Sequence, residues 1–112
     1  AVFYLTVSAA ATEAADTLNV RVQHTWDDGT SYDDFISFTQ HAGNGGAEKY
    51  IAHWIRDIVP TTSVHVAVSD SLAAGTVNQG PISDEWRVSW KIVDTTPANA
   101  SFTFKVEVRL IH

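Results

Sequence analysis

The sequence predicts an all-β fold, an antiparallel β-sandwich or jelly roll of about six to eight strands, and three observations lead there. Apolar and polar residues alternate at period two through most of the apolar segments, which suits strands with one face buried. Turn-forming residues separate those segments at short intervals. Of the 112 residues, 45% are hydrophobic and 18% charged, a balance that can build a core. That length suits one domain and falls short of two, so residues 1–112 read as a single unit. A small barrel is the competing architecture.

Taken in order, "VFYLTVS" presents Phe3, Leu5 and Val7 on one face. The apolar run is far shorter than the ~20 residues of a membrane helix and has no basic stretch before it, so it reads as part of the fold. "TLNVRVQHT" follows, with Leu18, Val20 and Val22 inward and Asn19, Arg21 and Gln23 outward. In "HTWDDGTSYDDF" a two-residue turn would set Val20 against Ser37. A three-residue loop, Asp27-Asp28-Gly29, instead pairs Trp26 with Thr30, Val20 with Ile36 and Leu18 with Phe38, and the apolar faces agree. Gly29 then supplies the positive φ, and the aspartates supply turn chemistry.

"HAGNGG" at 41–46 reads as a flexible connector, because it lacks the Lys-Ser/Thr of a phosphate-binding loop. "AEKYIAHWIRDIV" reads as a strand through Tyr50, Ala52 and Trp54, with one short helix near 48–58 as the alternative. "SVHVAVS" alternates through Val64, Val66 and Val68. "SDSLAAGTVNQGPISD", residues 69–84, is a long polar loop or arm of a length that usually serves binding. "EWRVSWKIV" places Trp86, Val88, Trp90 and Ile92 in the core. "SFTFKVEVRLIH" does so with Phe102, Phe104, Val106, Val108 and Leu110, and "DTTPANA", with Pro97 and Asn99, reads as the turn of a hairpin joining these last two strands.

Several function classes are disfavoured. A net charge of −6 with scattered Lys and Arg argues against nucleic acid and against anionic membranes as partners. Without cysteine there is neither a thiolate metal site nor a cysteine nucleophile. His24, His41, His53, His65 and His112 fall on different elements with no HxH or HExxH spacing, and no GxSxG occurs. The expectation is a non-enzymatic protein with no cofactor. Asp27, Asp28, Asp33 and Asp34 are weak candidates for calcium through their carboxylate oxygens, although an EF-hand's alternate ligands and terminal glutamate are missing. Trp26, Tyr32, Trp54, Leu72, Val77 and Ile82 are the candidate contact residues, because exposed aromatic and aliphatic side chains anchor protein interfaces. Trp26 and Tyr32 also raise a carbohydrate-binding module as the alternative, by stacking on a sugar.

The segments "TLNVRVQHTWDDGTSYDDFISFTQ" and "EWRVSWKIVDTTPANASFTFKVEV" together resemble a recurrent small virion protein of tailed bacteriophages and prophages. Members of that family look like an LxVxVQHSxDG strand, a hairpin ending in FTQ, an RxVRxxWxI strand and a closing SFTFxV strand. The likeness runs through Leu18, Val20, Val22, Gln23, His24, Asp28, Gly29, Phe38, Thr39, Gln40, Arg87, Val88, Trp90, Ile92, Ser101, Phe102, Thr103, Phe104 and Val106, somewhat under half of the chain. Tyr32 stands near where the family often has Trp, and residues 57–84 look like an insertion. The resemblance implies a capsid decoration or cement protein at the virion surface. Its implied partners are the major capsid protein and neighbouring copies of itself; a tail or neck component is the variant of this reading.

Overall fold

Period-two alternation resolves into two antiparallel sheets packed face to face. A computed structural model describes residues 1–9, 15–54, 69–78, 82–94 and 101–109. In the first sheet β1 (Val2–Ala9) is central, with β5 (Glu48–His53) on one side and β8 (Thr103–Arg109) on the other. In the second, β2 (Thr17–His24) pairs along its whole length with β7 (Trp86–Val93). Its opposite edge is shared by β3 (Asp33–Ser37) and the two-residue β4 (His41–Ala42). A second two-residue strand, β6 (Thr76–Val77), lies outside β3. The sandwich expectation holds.

The core follows the inward rows of the two central strands. Phe3, Leu5 and Val7 meet Leu18, Val20, Val22, Phe35, Ile36 and Phe38, all nearly inaccessible to water. Full burial of an aliphatic or aromatic side chain of this size contributes about 1.5–3 kcal/mol. Phe3 and Phe35 pack edge to face, with centroids 5.5 Å apart.

Several expectations need correction. Val22, not Val20, faces Ile36, and Val20 instead accepts the Phe38 amide. The expected pairing of Trp26 with Thr30 also fails, because β2 ends at His24 and β3 begins at Asp33, which leaves a longer loop than three residues. A register shift brings Gln23 opposite Asp34 and Val22 opposite Ile36, so Phe35 is the extra residue of a β-bulge. The bulge puts Phe35 and Ile36 both in the core, which a regular strand cannot do with consecutive residues.

The segment from 48 forms strand β5, and no helix occurs among the described residues. Tyr50 and Ala52 face inward while Ile51 between them is 66% exposed, so pairing with β1 at period two prevails over a helical stripe that would group Tyr50 with Ile51. Residues 55–68, including "SVHVAVS", lie outside the described residues. The last two long strands are not a hairpin: β7 pairs with β2 and β8 with β1, so the chain crosses between sheets.

"HAGNGG" is more than a connector, since His41 is buried with its ring nitrogens on Tyr50 Oη (2.8 Å) and the Gly46 carbonyl (2.9 Å). Residues 69–78 form no free arm. Their backbone is laced to β3: Ser69 O accepts the Asp34 amide, Ser37 O the Gly75 amide and Phe35 O the Asn78 amide.

Candidate interface

The exposed apolar surface lies where β7 and β8 border the sandwich. Among the described residues these are edge strands of different sheets, and they meet on one side of the core, where Trp90 lies on Phe104. Their inward rows follow from register: His24, Val22, Val20 and Leu18 oppose Trp86, Val88, Trp90 and Ile92, while Phe3, Leu5 and Val7 oppose Val108, Val106 and Phe104. Facing inward does not bury them. Trp86, Val88, Trp90, Ile92 and Val108 are between 36% and 58% exposed. The expectation that Trp86 and Trp90 are core residues is therefore corrected: each row is inward, but the sheets are open along this side.

Between the rows lies an apolar cleft of about 220 Å³, lined by Phe3, Val22, Trp86, Val88, Val106 and Val108. The tryptophans differ in how they are held. Trp86 packs on Phe3 and Phe35, centroids 5.6 Å from each, and its indole N–H donates to the Ser83 carbonyl. Trp90 touches Phe104 edge to face at 5.8 Å and is 58% exposed. Large apolar side chains gathered in one patch are the mark of a contact surface.

The turn that starts β7 is tied to β2. His24 is buried, and its Nδ1 accepts the Ser83 amide at 3.2 Å, while Glu85 O accepts the Thr25 amide. Burial lowers the His24 pKa from 6.5, and the nearby Asp33 charge opposes that shift in part. The neutral ring is the form that can accept the Ser83 hydrogen bond.

The aspartates do not converge. Asp27 turns its carboxylate into its own loop, accepting from Ser31 N (2.8 Å), Ser31 Oγ (2.6 Å) and Thr25 Oγ1 (2.8 Å). Those bonds, the Ser31 hydroxyl foremost, hold its pKa down to about 2. Asp34 is fully buried on the other side of the hairpin, accepting from Gln23 (2.6 Å), Arg21 (3.1 Å) and the Leu72 amide (3.0 Å). Asp28 is an exposed residue with φ of 56°, followed by Gly29 at 88°. Asp33 begins β3 opposite His24. Among the described residues no group of three His, Asp or Glu side chains is placed to hold a metal.

Of the six candidate contact residues only Trp26 stands out in solvent, at 57% exposure, with its ring edge on His24. Tyr32 is half-buried beneath the Arg87 guanidinium, 3.6 Å from the ring centroid, so it is no open stacking face. Trp54, Val77 and Ile82 are partly buried against the core, and Leu72 is half-buried as its amide holds Asp34. The exposed apolar residues outside that set on the β7–β8 side are Trp86, Val88, Trp90, Ile92 and Val108. Two tryptophans four residues apart on one face were the available signal, but a central strand would carry the same pattern. Comparison with protein-family models, with curated proteins and with solved structures finds no match.

Proposed function

We propose that the chain is a non-enzymatic bacteriophage virion structural protein, a decoration or cement subunit that binds the assembled head through its β7–β8 edge. The observation that carries this reading is the row of half-open apolar side chains there, with Trp90 the most exposed of them. The β-sandwich supports it as a rigid frame for such a surface. Its link to a virion comes from the likeness in "VQH", "DG", "FTQ" and "SFTF", which implies the major capsid protein as partner. A subunit that binds the assembled shell, and not its dissociated parts, stabilises the shell by mass action. Many copies on a symmetric lattice make moderate single contacts sufficient.

Imaging purified particles of the encoding virus tests the proposal. Density of this mass arranged icosahedrally on the head is the expected result. Density on the tail or neck would move the protein elsewhere in the virion, and a free monomer with no particle association would end the virion reading. Tight glycan binding lost on Trp26→Ala would favour the carbohydrate-binding module in its place.

A further inference from the structure

The outer face of the second sheet carries a second feature, unlike the β7–β8 cleft in character. Register sets Gln23 opposite Arg87, Arg21 opposite Ser89 and Asn19 opposite Lys91. Apart from Arg87, which reaches it only through its bond to Gln23, these side chains line a concave shelf of about 530 Å³ together with Gln40, Trp90 and Val93. The Gln23 and Asn19 oxygens and the neighbouring Asp34 carboxylate are already engaged within the protein. The Gln23 oxygen takes the Arg87 Nε–H at 2.8 Å, both Asp34 oxygens serve Gln23 and Arg21, and the Asn19 oxygen takes the Gln40 amide at 3.4 Å.

What the shelf presents outward is donors and positive charge. Its cations are Arg21, paired with the buried Asp34 carboxylate, and Lys91, on a chain whose net charge is −6. Among the described residues, Lys91 forms no ion pair. Such a surface fits an anionic, acceptor-rich occupant.

The same chain carries a matching part. The loop after β2 displays Trp26 and Asp28 in solvent. It is held in shape by its own hydrogen bonds, with Thr25 Oγ1 accepting the Gly29 amide at 2.9 Å and Asp27 accepting from Ser31. Little ordering is left to oppose binding. Lys91 sits opposite Asn19, five residues before His24 along β2, which puts the shelf's far end roughly 16 Å from the loop at ~3.3 Å per residue. One copy therefore cannot seat its loop on its own shelf.

We propose that the shelf receives the Trp26–Gly29 loop of a second copy, with Asp28 against Lys91 and Arg21 and the Trp26 indole against Val93. The contact joins two different surfaces, so it is heterologous and propagates copies head to tail unless a lattice closes it. The shelf shares Trp90 with the β7–β8 edge but its charged groups lie off the apolar cleft, so charge reversal at Lys91 and Asp28 tests self-association apart from particle binding.

Sedimentation equilibrium of the whole chain tests it at about 50 mM and about 500 mM salt, a range over which surface attraction is strongly screened. Self-association that weakens with salt is expected. Lys91→Glu and Asp28→Lys should each weaken it at least about tenfold, since each replaces attraction by repulsion. Asp28→Asn, which tolerates the positive φ, should weaken it about threefold. Lys49→Glu makes the same charge change on β5 and should leave association unchanged. Mixing the two charge-reversed proteins should restore it, because each retains the half that the other lacks. A wild-type monomer at every concentration and at low salt, association that Lys91→Glu leaves intact, or a mixture that stays monomeric would overturn the proposal.

Discussion

Trp90 separates an interface side chain from a core one. Truncating a fully buried Phe or Trp to alanine costs about 3–5 kcal/mol, and Phe3, 1% exposed beneath both sheets, should show the whole of it. Trp90 keeps 58% of its surface in water and has one aromatic neighbour, Phe104, so less than half of that cost applies, about 1–2 kcal/mol. Trp86 should fall between, because its ring lies on Phe3 and Phe35 and its N–H is bonded to Ser83. Urea unfolding of Trp90→Ala, Trp86→Ala and Phe3→Ala reads these as shifts in midpoint at constant slope. Against a partner surface the order reverses. A central interface tryptophan is worth about 2 kcal/mol or more, so Trp90→Ala should weaken binding to particles about 30-fold while remaining folded. If Trp90→Ala destabilises the fold as much as Phe3→Ala does, the indole belongs to the core. If it costs little in both assays, the β7–β8 edge is not the contact.

Asp34→Ala should lose about 3 kcal/mol in the same unfolding assay, because it strands the buried Gln23 amide and the Leu72 N–H, and Arg21→Met should lose a comparable amount, because it leaves the buried Asp34 carboxylate without its cation. The His24 pKa is lowered on folding, so the stability it contributes is complete above its unfolded value of 6.5 and is lost as pH falls from there through the folded value. His24→Gln should flatten that part of a midpoint-against-pH curve. An NMR titration should place the Asp27 midpoint at about 2, and Ser31→Ala should move it upward towards 3.8, since the Ser31 hydroxyl is its largest cause.

The fold was legible wherever a strand is regular and central. Alternation named the buried faces of β1 and β2 correctly, since Phe3, Leu5, Val7, Leu18, Val20 and Val22 are all in the core. It failed at β3, where matching apolar faces by the shortest loop chose the wrong partner for Ile36. Two registers differing by two residues put the same side chains on the same face, so patterning cannot choose between them. The choice comes from the loop, where Thr25 and Asp27 build a hydrogen-bonded structure longer than a tight turn, and from the bulge at Phe35. The tie between Asp34 and Leu72 was equally out of reach, because it joins residues far apart in the chain through a backbone amide.

The candidate site was misread for a different reason. Alternation tells which side chains share a face, and says nothing about whether another sheet covers that face. Trp86, Val88, Trp90 and Ile92 repeat the apolar pattern of Leu18, Val20 and Val22, and the two rows lie side by side in the register. β2 is flanked on both sides and buried, whereas among the described residues β7 has β2 on one side only, so the same chemistry becomes core in one strand and open surface in the next. Apolar residues this large on an uncovered edge favour aggregation unless something protects them. The outward rows supply that protection, with Arg87 and Lys91 on β7 and Lys105 and Arg109 on β8, four of the seven cations in the chain. Charge that discourages indiscriminate pairing while leaving Trp90 exposed is the arrangement that the proposed docking edge requires.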